Sequence, residues 1–508
     1  MNRSGSVSRL RTVVQTIAVT GIACGIGWLL FRNLGADSLR GDEALYAEVV
    51  LDSRASGSWL PTVLRGEAWV NKPPGGLLTM AASFRVLGVS EEAARAPAAV
   101  GGLLCVLLVF VWGAARLGAV AGALAATIVA TAPVALGWHA FRAATFDAAT
   151  ALLVTAAVLA HLESLEPGRE RLFRLTVALS ALSTLLKSLA GPALIATAGV
   201  AIELCRGLRE RRPREATRRA AIRAGAVLAA GIAVLGFLIA AASLGGLDDA
   251  VGRMVGWDLL RRNLARVHPS HAGPWWFYLD RLVLDFGPLL ALLLPAAWSF
   301  RSGGAQAAPP LAAPRLAPVE LLAAAAAIVV ILSLSASKLR WYALQVLPLA
   351  ALAIAAGFVV LARGRSRLVK FALAAALTVV VAERASFALR RTATPPRRTH
   401  LDRALEETRR IPGARLVSAA GLDPFAAVGR GAYAWDEASS NSFYLRLARE
   451  ALAATEAPAA GCTVTLVARS AATAEPGAPR LELPPDEGPF ALVDGCDGRI
   501  VAALGGPG

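Results

Sequence analysis

The sequence predicts an all-α polytopic membrane protein of about 11–13 transmembrane helices, followed by a small extracytoplasmic α/β domain. Three observations predict it. The 508 residues are 56% hydrophobic and 17% charged, with a mean hydropathy of +0.55, whereas a soluble domain carries about a quarter charged residues. The apolar residues fall in blocks of roughly 17 to 22, long enough to cross a bilayer as helices. After Arg390 the blocks stop, and short β-type runs between turn-forming residues replace them.

Eleven spans can be drawn, at 12–32, 97–115, 118–138, 146–162, 172–187, 189–205, 224–244, 281–300, 317–336, 341–361 and 369–388. Arg9 and Arg11 precede the first one, which lacks a small-residue cleavage site and so reads as an uncleaved helix. With the N-terminus inside, the loops Glu163–Arg174, Arg206–Arg223, Arg301–Arg315 and Arg363–Lys370 are cytoplasmic. All are short and basic, as the positive-inside bias requires. The net charge of +16 is concentrated there, in Arg209, Arg211, Arg212, Arg214, Arg218 and Arg219 above all. Such arginines read as topology determinants, which argues against nucleic acid as a partner. An odd number of spans leaves the C-terminus outside, in a protein of the cell inner (plasma) membrane.

The outer loops are unequal. Loops 33–96 and 245–280 are long, and those around His139–Thr145 and Ser337–Arg340 are short. In the first long loop Ala44, Leu45, Val49 and Val50 recur at helical spacing behind Asp42, a plausible N-cap. Gly76–Leu87 is amphipathic enough to lie in the interface, after a break at Pro73-Pro74-Gly75. These loops and the spans form one domain, residues 1–389, and residues 390–508 form the outer α/β domain. There Pro395-Pro396-Arg397-Arg398 reads as a linker, Leu401–Arg409 as a helix, and Leu416–Ala420, Thr463–Ala468 and Phe490–Val493 as strands. Cys462 and Cys496 are able to pair on an oxidising side, though sequence leaves the pairing open.

Charged residues beside apolar helices are costly, so each needs a reason. Asp42 and Glu43 open the first outer loop, either as a helix-capping pair worth about 1 kcal/mol or as a general base at the water boundary. Asp147 heads the fourth span, with Arg142 near enough in sequence to pair with it or to hold a phosphate. Lys187, Lys338 and Arg340 emerge on the outer side against the charge bias, the latter two followed by Trp341 and Tyr342. They are candidate anion ligands or snorkelling side chains. The loop at 245–280 carries Asp258, Arg261, Arg262, His268 and His271, then Pro274-Trp275-Trp276-Phe277-Tyr278. The aromatics suit an interface belt, and the histidines are weak candidates for metal ligation. Taken together, carboxylate and cations at the outer face suit an anionic headgroup on a lipid tail.

Several of these segments resemble one family. Gly41-Asp42-Glu43-Ala44-Leu45-Tyr46-Ala47-Glu48, Ala55-Ser56-Gly57-Ser58-Trp59-Leu60-Pro61 and Asn71-Lys72-Pro73-Pro74 resemble the first outer loop of bacterial aminoarabinose transferases and protein O-mannosyltransferase-like enzymes. Arg142 to Asp147, Leu185-Leu186-Lys187 with Gly191-Pro192, His271-Ala272-Gly273-Pro274-Trp275-Trp276 and Ser337-Lys338-Leu339-Arg340-Trp341-Tyr342 resemble the same family in the same order. The resemblance spans residues 40–350 and implies a GT-C glycosyltransferase. Such an enzyme takes a sugar from a polyprenyl-phosphate donor at the outer face and passes it, with inversion, to an acceptor hydroxyl or phosphate on a lipid, glycan or protein. It implies Asp42, with Glu43 beside it, as the catalytic acid/base. Lys72, Arg142, Lys187 and Lys338 become donor-phosphate or cavity residues, Asp147, Arg340 and Tyr342 further substrate contacts, and His271 a site residue or a ligand for a divalent metal. Two departures stand out. The family's usual Glu-Lys-Pro is Asn71-Lys72-Pro73, which removes a carboxylate, and Arg340 occupies a position often held by proline.

The residues alone also allow a transporter or flippase of a lipid-linked or anionic substrate, or a membrane sensor with an outer domain. No inverted repeat, the usual mark of a transporter, is visible.

Overall fold

The computed structural model describes residues 20–21, 23–261, 271–298, 318–363 and 365–393, Phe443, and four C-terminal strands. Its helices fall where the apolar blocks predict them. The chain enters through α1 (the described part of 20–31) and reaches α2 (Asp42–Ser56) across a short irregular loop. Gly41, at φ 52, is the N-cap of α2 and no side chain caps it. Asp42 is therefore the first helical residue and not the cap that spacing suggested, which leaves its carboxylate free for other contacts.

After α2 the chain makes a hairpin, β1 (Thr62–Leu64) and β2 (Glu67–Trp69), paired antiparallel with Leu64 opposite Glu67. Arg65 (φ 53) and Gly66 (φ 83) form its turn, and two left-handed residues are what a two-residue hairpin turn needs. Pro73 then starts α3 (Pro74–Leu87) with proline at the first helical position, where its missing N–H costs nothing. A Cβ on Gly75 would meet the Leu185 carbonyl, and one on Gly76 would meet the Phe146 ring. These two glycines let the start of α3 lie directly on the segments that carry Lys187 and Asp147.

The bundle continues with α4 (Glu91–Leu117), capped by Ser90 accepting from the Ala93 N–H at 3.1 Å, and α5 (Ala119–Thr131). α6 (Asp147–Glu163), α7 (Leu172–Lys187), α8 (Ala190–Arg209) and α9 (Pro213–Leu244) follow. After a π-type turn at Gly252–Arg261 come α10 (Phe277–Phe286), α11 (Leu293–Trp298), α12 (Pro318–Leu334), α13 (Leu347–Ala362) and α14 (Arg367–Ala393). Four of these, α4, α8, α9 and α14, are long and apolar enough to cross a membrane by themselves; α5, α12 and α13 are shorter apolar helices. α5 stops at Thr131, short of the span drawn to 138, because Ala132 precedes Pro133 and is extended (φ −64, ψ 139), as a residue before proline prefers. Residues 132–146 then fold as turns at one end of the bundle.

Small residues bring the helices together, as expected where lipid removes most of the hydrophobic drive between them. A Cβ on Gly122 of α5 would lie 2.5 Å from the Ala114 nitrogen of α4. The main core runs through α4, α5, α6, α8, α12 and α13, and a second core lies under α2 and α3, where Phe443 is also buried.

The end of the bundle away from residues 132–146 is held by buried ion pairs. Glu320 accepts from Arg206 at 3.0 and 3.1 Å and from Arg209 at 3.0 Å, and Arg206 also reaches Glu166. Glu203 holds Arg219 and Arg223, and Glu163 holds Arg116 and Arg169. The basic loops are thus more than topology signals. Arg211, Arg212, Arg214 and Arg218 are exposed, whereas Arg206, Arg209 and Arg219 tie α8, α9 and α12 together.

Near the C-terminus β3 (Arg415–Ser418), β4 (Thr463–Ala468), β5 (Glu487–Asp494) and β6 (Ile500–Gly505) form one sheet in that order. β3 and β4 are parallel and the other pairs antiparallel. The strand expected at Thr463–Ala468 is β4, and those expected at Leu416–Ala420 and Phe490–Val493 overlap β3 and β5. The expected helix at Leu401–Arg409, the linker from Pro395, and Cys462 and Cys496 lie outside the described residues.

Candidate active site

Asp42 and Glu43 are neighbours with opposite environments. The α2 helix turns the Glu43 side chain inward, where it makes a two-pronged ion pair with Arg95, both N···O distances 2.8 Å. It also accepts from the Ala144 N–H at 2.7 Å. Arg95 in turn donates to the carbonyls of Leu34, Asp37 and Ser38, so this pair fastens the loop before α2 to α4. Glu43 is fully used by this framework. Asp42 is different: its side chain is 37% exposed, and the Tyr46 hydroxyl, one turn along α2, donates to Oδ2 at 3.0 Å. The other carboxylate oxygen accepts no hydrogen bond among the described residues.

Residues 132–146 lead into a second carboxylate, linked to α2 through the residue before it. The Phe146 ring stacks on Tyr46 with centroids 4.7 Å apart, and Asp147 follows as the first residue of α6. Asp147 is 2% exposed and pairs with Lys187, the last residue of α7. The Lys187 ammonium also lies 4.8 Å from the centre of the Tyr342 ring, a cation–π contact that offsets part of its desolvation. Tyr342 belongs to the 3-10 turn Arg340–Gln345. The Gln345 amide donates to the Asp147 carbonyl at 3.3 Å, fastening that turn to the head of α6. Three residues distant in sequence, Asp147, Lys187 and Tyr342, are therefore brought together in one ensemble.

Arg142 corrects the sequence reading. It does not pair with Asp147; its guanidinium donates to the carbonyls of Leu29, Leu30 and Arg32 at 2.7–2.9 Å. These are terminal carbonyls of α1, and a cation satisfies both their hydrogen-bonding and dipole requirements. Burial and the repulsion of Arg95, Arg391 and Arg32 push its pKa down to about 10, so it stays charged at neutral pH.

Lys72 and Lys338 are both 8% exposed. Lys72 donates to the Asn71 carbonyl at 2.8 Å and Lys338 to the Ser335 carbonyl at 2.7 Å. The Lys338 N–H donates to the His271 carbonyl at 2.8 Å, which joins the two motifs at 271–276 and 337–342. Arg340 is exposed. Among the described residues no three of His, Cys, Asp and Glu come together as a metal would need.

Residues that the sequence did not single out complete the geometry. Tyr46 was legible in principle, since position i+4 shares a helix face with Asp42. Arg95 carried no local signal, its partner being 52 residues away. His139 and Trp341 stack with ring centroids 4.1 Å apart and planes 12° from parallel, and the His139 Nε2 lies 3.9 Å from Asp42 Oδ2.

Comparison with known proteins supports the family resemblance. Residues 71–218 match the profile of the family described as dolichyl-phosphate-mannose-protein mannosyltransferase; Asp42 lies upstream of the matched segment. The fold is similar to that of ArnT from Cupriavidus metallidurans solved with undecaprenyl phosphate bound. The TM-score is 0.61 at 15% identity, over 90% of this chain and 94% of that one. The apo form of the same protein superposes with a TM-score of 0.59 at 16% identity, over 91% and 94%. The archaeal oligosaccharyltransferase AglB from Archaeoglobus fulgidus, in complex with an inhibitory peptide and a dolichol-phosphate, gives 0.52 at 15% identity, over 88% and 69%. No curated protein matches the chain by sequence. The expected architecture, a polytopic helical membrane protein of GT-C type, is the one observed.

Proposed function

We propose that the chain is a glycosyltransferase that moves a sugar from a polyprenyl-phosphate carrier to an acceptor hydroxyl, with inversion, at the outer face of the cell inner membrane. The observation that carries this reading is the division of labour between Asp42 and Glu43. One carboxylate is consumed by Arg95, and its neighbour is held by one edge and linked through Tyr46 and Phe146 to the Asp147–Lys187–Tyr342 ensemble. The fold shared with proteins solved around undecaprenyl phosphate and dolichol-phosphate supports the choice of carrier.

The chemistry follows from these groups. The acceptor oxygen attacks the anomeric carbon from the face opposite the phosphate. Its proton passes to Asp42 as the new C–O bond forms, and the bond to the phosphate oxygen breaks. A correctly placed base contributes roughly 10²- to 10⁴-fold. The leaving polyprenyl phosphate gains charge, which Lys72, Lys187 and Lys338 are suited to neutralise, and such stabilisation is strong where water is partly excluded. The buried side-chain oxygens of Thr145 and Gln345, flanking Asp147, and of Ser188, beside Lys187, have no hydrogen-bond partner among the described residues. They give the site unused capacity that a polyhydroxylated sugar can fill.

The test is transfer by the purified protein in sealed vesicles given a radiolabelled polyprenyl-phosphate sugar and acceptor candidates. Label appearing on an acceptor, without movement of donor across the membrane, supports the reading. Donor movement without transfer supports a flippase instead.

A further inference from the structure

We propose that His139 is the positioning residue of Asp42, donating from Nε2 to the Oδ2 edge so that Oδ1 faces the acceptor hydroxyl. This rests on the glycosyl-transfer reading. The geometry is specific. Oδ2 already accepts from Tyr46 at 3.0 Å, and the imidazole Nε2 stands 3.9 Å from the same oxygen. That gap exceeds a hydrogen bond, but catalytic hydrogen bonds are commonly this loose before substrate binds.

The surroundings hold the ring in place. His139 is 6% exposed, lies flat on Trp341, and meets Trp138 edge-on at 5.9 Å. Its backbone has φ 59, a left-handed conformation uncommon outside glycine, and such strained residues gather at functional sites. The charged groups facing it are Asp42, Asp147, Lys187 and Glu43. Burial holds its pKa below the ordinary histidine range despite the opposing pull of Asp42. At neutral pH the ring is neutral, with one nitrogen carrying hydrogen. Two neutral donors on one carboxylate oxygen fix its rotation and favour its ionised form. Trp341 adjoins Tyr342, so the same ring also joins the base to the segment beside Lys187.

Two variants separate donation from packing. His139→Phe keeps the stack on Trp341 and removes the donor; His139→Gln keeps a donor. For His139→Phe we expect kcat to fall at least about tenfold, with donor KM close to wild type. The acidic limb of its pH–rate profile should move to higher pH, because the carboxylate has lost a donor. His139→Gln should recover most of that loss. A His139→Phe enzyme with wild-type kcat and pH profile overturns the proposal. A second measurement does not depend on turnover. The chain has five histidines, so ¹⁵N-imidazole spectra in nanodiscs are tractable, with His139→Phe assigning the ring. Asp42→Asn should move the His139 titration to lower pH, since a stabilising negative charge is gone. An unmoved titration overturns the pairing. A wild-type protein that transfers no sugar would count against the glycosyl-transfer reading, while the spectra still decide whether His139 and Asp42 are coupled.

Discussion

Glu43 grips Arg95 with two hydrogen bonds of 2.8 Å, both side chains buried, and this one pair joins α2, α4 and the loop between α1 and α2. Removing one partner strands the other charge away from water. Glu43→Ala should lose about 3–5 kcal/mol of stability, the usual cost of breaking a buried ion pair from one side. Thermal unfolding in detergent reads this directly. Unchanged unfolding of the variant would mean that Glu43 is not part of the framework.

Asp42→Asn should behave in the opposite way. Asp42 makes no capping bond, and an amide keeps its size, so the unfolding temperature should stay near wild type. Sugar transfer should fall at least about 100-fold, the low end for loss of a general base. A fully active variant would move the base elsewhere in the site.

The Asp147–Lys187 pair combines framework and ligand roles, and a double substitution separates them. Lys187→Met leaves Asp147 buried without its counter-charge and should cost about 3–5 kcal/mol. Adding Asp147→Asn should restore much of that stability, because no charge is then stranded. Donor binding should stay weak in both, as it should in Lys72→Met and Lys338→Met at near-normal expression. Wild-type donor affinity in all of these variants would remove the lysines from phosphate recognition.

Orientation is testable by labelling whole cells with an impermeant thiol reagent, after replacing the five native cysteines. Ser56→Cys ends α2, the helix that Asp42 begins, and Thr217→Cys lies on α9 near the buried ion pairs; both positions are exposed. The first should react and the second should not. The reverse pattern would invert the proposed topology.

The helices were legible because a bilayer-length apolar block has few alternatives; the exception is the span drawn at 281–300, which the 3-10 turn Gly287–Leu292 divides between α10 and α11. Among the site residues, the sequence exposed those whose charge is out of place, such as Asp147 and Lys187, but not how they pair. Arg142 shows why. It is five residues from Asp147, yet the turns of 132–146 direct it to carbonyls of α1, more than a hundred positions away. Arg95 was unreadable for the same reason, since its role depends on a partner that only the fold supplies. The Arg65-Gly66 turn was visible as a left-handed pair only once the hairpin was known.

The salt-linked end of the bundle has a consequence for traffic through the membrane. Alternating access would require α8 and α12 to part there, leaving Glu320, which is 0% exposed, without Arg206 and Arg209. Each such separation carries a penalty of about 3–5 kcal/mol, repeated at Glu203 if α9 also moves. A bundle bolted in this way resists opening at that end. For the proposed reaction, the carrier lipid is then expected to reach the site from the end of the bundle that holds Asp42.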